Sequence, residues 1–284
     1  MQYRSLIGSI ALAMALMMAP ASAQVFDFGK YPDLSGQWRR FPNSGPPLYD
    51  PLKGYGAEQQ PPLTEEYRLI HEQSLADQKE GGQGLYRSSA RCLPMGMPWQ
   101  MYGLFPLEFV ITPKTTYVLS EIMTQQPRRI YTDGREWPGD EQEPLFTGYS
   151  IGQWIDSDGD GKYDVLEVET RNLRVPRIYD QSGIPFHEDG QAVITERIYL
   201  AKDDPNILHH EMTTTDHALT RPWKVMRSYR REKKLIWFEN NCVEGNDNMA
   251  IGNRDYLLSP DGFLMPVKKG QKPPDPRYFS QTQK

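Results

Sequence analysis

The chain has 284 residues, with 32 Lys and Arg against 37 Asp and Glu, a net charge of −5. Its 23 glycines and 24 prolines follow no repeat period, which excludes collagen and simple low-complexity sequence. The acidic balance argues against a general nucleic-acid binder, which carries a basic surface, and the length fits one large domain or two small ones.

Residues 1–23 carry the three-part pattern of a signal peptide. Arg4 precedes an apolar run from Leu6 to Pro20, and Ala21, Ser22 and Ala23 form a small-residue cleavage site. Ser9 interrupts the run, which is shorter than the ~20 residues of a spanning helix. The expectation is a periplasmic or secreted protein, cleaved after Ala23, with no membrane span in the mature chain. Loss of Arg4 leaves that chain one charge more negative.

Residues 24–62 are rich in Pro, Gly, Tyr and polar side chains, and read as a wrap over the main body. Within them, Asp33 to Trp38 reads as a turn feeding a strand. Residues 64–80 form the one good helix. Thr64 caps it, Glu65 and Glu66 complement its positive end, Gly81 and Gly82 stop it, and Tyr67, Ile70 and Leu75 supply a narrow apolar face. The stretch 92–98 is too proline-rich for regular structure.

From residue 106 the pattern changes to strands. Runs at Leu107–Thr112, Thr116–Met123, Arg128–Thr132, Phe146–Ile155, Tyr163–Thr170, Val193–Ala201, Asn206–Thr215, Trp223–Tyr229 and Leu235–Glu239 are separated by turn residues, and Asp261-Gly262 marks a last hairpin. Strands at short, even spacing predict an all-β antiparallel meander that closes into a barrel to hide its edges. No repeat or linker divides it, so 24–267 reads as one domain, followed by a flexible tail at 268–284.

Cys92 and Cys242 both lie in the mature chain. In an exported protein they pair most simply as a disulfide, and a loop that long is worth about 4–5 kcal/mol in the chain-entropy model. Two buried thiols are the alternative.

The sharpest motif is residues 156–167, DSDGDGKYDVLE, which satisfies D-x-D-x-D-G-x5-E at every required position. Hard cations take oxygen ligands, and alternate residues of a tight loop aim at one point. The expected Ca²⁺ ligands are Asp156, Asp158 and Asp160, the Lys162 carbonyl, and Asp164 directly or through water. The flanks read as strands, so this is not an EF-hand. The loop is similar to the calcium hairpins of extracellular β proteins of the FG-GAP type, in which the terminal glutamate is not usually a ligand. Glu167 is therefore open, since strand alternation can turn it away. An acidic, solvated hairpin tip is the plain alternative.

The strands carry many charged and aromatic residues, among them Arg128, Arg129, Glu169, Glu196, Arg197, Arg227 and Tyr229. Two explanations compete: outward ion pairs between neighbouring strands, each worth ~0.2–1 kcal/mol, or a polar-lined interior whose Arg–carboxylate pairs orient a ligand. Within Asp216 to Trp223, an acid stands beside His217, Arg221 could hold an anion and Trp223 could stack on a flat ligand. A lone histidine in a turn is more often structural. His209 and His210 face opposite ways on a strand, which speaks against a two-histidine metal site. Metalloprotease, α/β-hydrolase and dinucleotide motifs are lacking.

The segments CLPMGMP (92–98), RRIYTDGREWP (128–138), GYSIGQW (148–154), VLEVETR (165–171) and DHALTRPW (216–223) together resemble a family of secreted, largely uncharacterised bacterial proteins. The resemblance spans about half of the mature chain. It implies a lipocalin-like all-β body in the envelope and assigns no catalytic residue. Many members carry a shorter hairpin where this chain has its acidic loop, which favours a structural role for calcium.

Two function classes follow. In one, the barrel binds a small apolar or aromatic molecule, alone or with cofactor-free acid–base chemistry of the lyase, isomerase or hydratase type. His217 or His187 is then the base, Asp216 its orienter, Arg221 or Arg129 the anion stabiliser, and Trp223, Tyr131 and Trp137 the ligand contacts. In the other, the protein is a non-catalytic envelope structural or interaction protein stabilised by calcium. A deep cavity lined by His217, Arg129 and Trp223 would favour the first, and a solidly packed core the second.

Overall fold

Between Leu107 and Arg231 side chains alternate between a buried and an outward face, and this period of two builds the body of the protein. The computed structural model describes residues 26–40, 49–80, 84–85, 93–103, 105–120, 127–139, 141–235, 248–251, 254–259, 263–265 and 269–270. Nine strands close in sequence order into a barrel: β1 (Gln37–Arg40), β2 (Leu107–Ile111), β3 (Thr115–Ser120), β4 (Arg128–Tyr131), β5 (Tyr149–Ile155), β6 (Val165–Arg171), β7 (Val193–Leu200), β8 (Ile207–Thr215) and β9 (Trp223–Arg231). A separate hairpin pairs β10 (Asn248–Ile251) with β11 (Arg254–Leu257).

The expected all-β barrel is present, with two differences from a simple meander. First, β4 and β5 run parallel, Ile130 opposite Ser150 and Tyr131 opposite Ile151. Parallel neighbours need a crossover, and residues 132–148, broken by Pro138 and Pro144, supply it. Second, closure depends on the short β1, which pairs with β2 through Trp38 and Leu107 and with β9 through Trp38 and Arg231. Arg231 latches this seam: its guanidinium lies 4.4 Å over the Trp38 ring and donates to the Asp33 carbonyl at 2.7 Å.

The interior is packed with Trp38, Leu107, Phe109, Val118, Ile130, Leu166, Val168, Ile194, Ile198, Leu208, Met212 and Val225. Met97, Met101, Tyr179, Ile184 and Phe186, from the irregular segments 93–103 and 173–192, join the same core. Their close approach depends on glycine. A Cβ at Gly96 (φ +60°) would meet the Phe146 carbonyl oxygen at 1.9 Å, and one at Gly103 (φ +68°) the Tyr229 ring at 2.4 Å.

The helix α1 (Glu65–Lys79) starts at Thr64, whose Oγ1 accepts from the Tyr67 N–H. Tyr67 is buried as expected and Ile70 packs partly buried against the core, but the other fully buried positions are His71 and Ser74, not Leu75. The reason is its neighbour. The helix packs on loops with polar backbone groups, so His71 Nε2 meets the Ser182 carbonyl at 3.0 Å and Ser74 Oγ accepts from Leu85 N–H at 2.9 Å. No helix among the described residues is long and apolar enough to cross a membrane.

Residues 1–23, Cys92, Cys242, residues 236–239, the Asp261-Gly262 turn and most of the tail 268–284 lie outside the described residues. Leu258 and Leu264, on either side of that turn, do form an antiparallel bridge.

Because Trp38 is fully buried and is paired with both Leu107 of β2 and Arg231 of β9, Trp38→Ala is expected to cost about 3–5 kcal/mol. Urea unfolding measures this; a change below 1 kcal/mol would show that the seam does not hold the barrel closed.

Candidate functional site

The barrel interior carries a buried polar network instead of an open chamber. Alternation on β7, β8 and β9 turns Glu196, His210, Arg227 and Tyr229 inward, and β4 turns in Arg128. Arg128 Nη1 donates to Glu196 Oε1 at 3.0 Å, and Arg128 Nη2 also bonds Glu196 Oε2. The same guanidinium donates to Thr170 Oγ1 at 3.0 Å and to Ser150 Oγ at 3.3 Å. His210 Nε2 donates to Glu196 Oε1 at 2.7 Å, and its Nδ1 lies 3.1 Å from the Tyr229 hydroxyl. The Met101 carbonyl accepts from Arg227 Nη1 at 2.9 Å and from the Tyr229 hydroxyl at 2.5 Å.

Charge balance explains its protonation. Burial alone would raise the Glu196 carboxyl, but the Arg128 charge and the His210 hydrogen bond hold it well below the usual carboxylate range. Burial pushes the His210 imidazole down, more than Glu196 pulls it up, and Arg227 and Arg128 add to the depression. Two arginines already face the network's one carboxylate, which opposes a further positive charge on His210.

Outside the barrel wall the charges are paired across strands. Arg197 bonds Glu167 at 3.1 Å and Lys224 bonds Glu211 at 2.6 Å. They line an open trough of about 820 Å³. Outward ion pairs thus account for the outer residues, and the inward Arg128–Glu196 pair is buried in a packed core. Glu167 is on this outer face and is directed at Arg197.

The histidines from the two candidate loops meet at the rim. His217 Nδ1 lies 2.6 Å from Asp189 Oδ2, His187 Nδ1 lies 3.0 Å from the same oxygen, and the rings are 5.6 Å apart. Asp216 sits beneath them. Its Oδ1 accepts the backbone N–H of both His187 and Ala218 at 2.9 Å, tying the two loops together. Burial raises the Asp216 carboxyl, opposed by those two N–H groups. The hydrogen bond to Asp189 raises the His217 imidazole.

The other expected residues are elsewhere. Arg129 is exposed on the outer face of β4, opposite Tyr117. Arg221 donates to the Gly56 carbonyl at 2.8 Å. Trp223 is buried, its Nε1–H donating to the Gln59 carbonyl at 2.9 Å and its ring 4.4 Å from Tyr179. Tyr131 and Trp137 both pack against Tyr149, at 4.9 Å and 6.1 Å, under Arg135 and Arg171.

A half-open cavity of about 380 Å³ lies beside the barrel, between α1 and the segments 93–99 and 174–188. Tyr67, Ile70, Met95, Trp99, Phe146, Ile178 and Phe186 give it apolar walls; Glu66, Glu188, Arg174 and Arg177 are its charged members. Arg177 braces the wall by donating to the Met95 carbonyl at 3.2 Å and the Met97 carbonyl at 2.5 Å. Tyr67 joins the cavity to the histidine cluster, its ring 5.3 Å from that of His187.

In the acidic loop, oxygens of Asp156, Asp158 and Asp160 lie within 4.8 Å of one another. The Asp156 carboxylate accepts Gly159 N–H at 2.7 Å and Gly161 N–H at 2.9 Å, and Asp160 accepts Lys162 N–H at 2.8 Å. Asp164 turns to Ser157, whose N–H it accepts at 2.8 Å.

No family model, curated protein or solved structure matches the chain.

The network makes stability pH-dependent, with a definite sign. Because burial lowers the proton affinity of His210 in the fold, the unfolded chain takes up its proton first, so stability falls as pH drops below the ordinary value of 6.5. The depressed Glu196 carboxyl adds a further loss as pH falls below its ordinary 4.5. His210→Gln is expected to flatten urea-derived stability between pH 5 and pH 6.5, roughly the lower arm of an unperturbed histidine titration. Arg128→Met should cost about 3–5 kcal/mol, and Arg128→Met with Glu196→Leu much less. A double variant no more stable than the single would refute the pairing.

Proposed function

We propose that this is an exported barrel that binds a small apolar or aromatic molecule in the cavity beneath α1. The observation that carries the reading is the set of apolar and aromatic walls around about 380 Å³, a volume within the range of small-molecule sites. Residues 1–23 support export, through Arg4, the apolar run and the small-residue cleavage site. Binding is favoured over acid–base chemistry because neither His187 nor His217 is among the residues lining the cavity; the core is packed and His217, Arg129 and Trp223 line no common cavity, so the reading rests on this side cavity alone. Filling the cavity with Ile70→Trp should weaken an anilinonaphthalene sulfonate probe at least about tenfold, or ~1.4 kcal/mol, in a fluorescence titration. Equal affinity in the wild type and this variant would place the probe elsewhere and defeat the reading.

The acidic loop supports a second role, structural binding of Ca²⁺ at the β5–β6 hairpin. Asp156, Asp158 and Asp160 supply converging hard oxygens, and Gly159 and Gly161, both at positive φ, allow the turn. Asp164 would have to leave Ser157 to join them, and the Lys162 carbonyl is the remaining expected donor. The expected affinity is on the order of 10⁻⁴–10⁻³ M, as for extracellular modules. A hundredfold excess of calcium over Kd should then stabilise the fold by about 2.7 kcal/mol. Thermal melts with calcium and with chelator measure this, and Asp158→Ala with Asp160→Ala should abolish the difference. Identical melts of the wild type in both conditions would rule the ion out.

A further inference from the structure

We infer that His187, Asp189 and His217 form a binding site for a divalent transition-metal ion, of which Zn²⁺ is the natural occupant class. The inference is independent of the cavity and of the acidic loop. Two imidazoles and one carboxylate converge from two different loops, and their ligand atoms all lie within 4.8 Å of one another. Mixed nitrogen and oxygen donors suit zinc, copper or nickel, whereas calcium and magnesium want oxygen alone.

The Nδ1 nitrogens of both rings are turned to one carboxylate oxygen. The backbone N–H of Asp189 donates to His187 Nδ1 at 3.2 Å, so that nitrogen presents a lone pair. The same nitrogen faces Asp189 Oδ2 at 3.0 Å. Nδ1 has one in-plane lone pair, which a metal ion or a proton would take over from the Asp189 N–H while keeping Asp189 Oδ2 close. His217 Nδ1 approaches the same oxygen at 2.6 Å. A zinc ion bonded at ~2.0–2.1 Å keeps its ligands roughly 3.3 Å apart, so each nitrogen would move less than about 1 Å outward from Asp189 Oδ2.

The supporting shell is already built. Asp189 Oδ1 accepts Gln191 N–H at 3.0 Å, which leaves Oδ2 for the two rings. Asp216 Oδ1 fastens both loops through His187 N–H and Ala218 N–H, and its Oδ2 is buried with no partner among the described residues. Tyr67 packs on His187 and fixes one ring. The side chain of His217 is 69% exposed, so the remaining coordination positions are open to water or to an external ligand.

The test is a Co²⁺ titration of the mature protein, followed by visible ligand-field absorption, with Zn²⁺ and Ca²⁺ as competitors. One Co²⁺ per chain is expected, displaced by Zn²⁺ and not by Ca²⁺. His217→Gln, whose side chain is mostly in solvent, should fold as the wild type does and lose at least about tenfold in affinity. Asp216→Asn, a positioning change, should lose about 10–100-fold. Asp158→Ala with Asp160→Ala should bind as the wild type does. A wild type showing only the spectrum of aqueous Co²⁺, or equal binding by wild type and His217→Gln, would overturn the assignment.

Discussion

The fold turns on one carboxylate placed where carboxylates are rarely found. Glu196 is fully buried inside the barrel, and its two oxygens are taken by Arg128 and His210. A charge there without partners would cost several kcal/mol, so each neighbour is constrained in turn. Arg128 must hold the β4–β5 side of the wall through Ser150 and Thr170, and His210 must present its Nε2–H to Glu196. Tyr229 then spans from His210 to the Met101 carbonyl, linking the wall to the segment that packs over the core. An apolar interior would tolerate several strand registers; this one tolerates the register that closes the network.

That network also decides where a ligand can go. The barrel axis is filled by aliphatic side chains, by Arg128 and Glu196, and by Met97, Met101 and Tyr179. Space is left beside the barrel, where α1 and two irregular segments meet without regular pairing. Proline and glycine make those segments: Pro94, Gly96, Pro176 and Pro185 prevent them from adding strands, and Gly96 allows backbone to lie against backbone at Phe146. The cavity is therefore a product of irregular chain supported by a rigid barrel, the usual division between scaffold and binding surface.

The barrel was legible because each wall strand announces itself by alternation and turn chemistry. Its parallel pair was not, since the residues 132–148 read equally well as a long hairpin loop. The alternation also contained more than a plain reading extracts. Leu208, His210, Met212 and Thr214 share one face of β8, which already places His210 with the core and His209 outside. Asp189 carried a weaker signal, as an acid two residues from His187. Trp223 misled because its indole needs an acceptor, and an acceptor from the distant Gln59 satisfies it inside the core. The cavity walls had no signal at all. Met95, Trp99 and Phe186 come from segments without periodicity, and only tertiary packing brings them to Tyr67.

Tyr67 is where the separate parts become mechanically connected. It is the buried residue of the first turn of α1, it lines the cavity, and it packs on His187. The rest of the buried helix face is fixed by polar contacts to loops, His71 to Ser182 and Ser74 to Leu85. Hydrogen bonds of this kind hold a helix in one rotation and height more strictly than an oily face would, because a slip leaves buried polar atoms unpaired. A molecule bound in the proposed cavity would meet Tyr67, and an ion at the proposed rim site would order His187 against it. The two proposed sites would therefore share one side chain on a helix that has little freedom to yield, which is the physical condition for occupancy of one to be felt at the other.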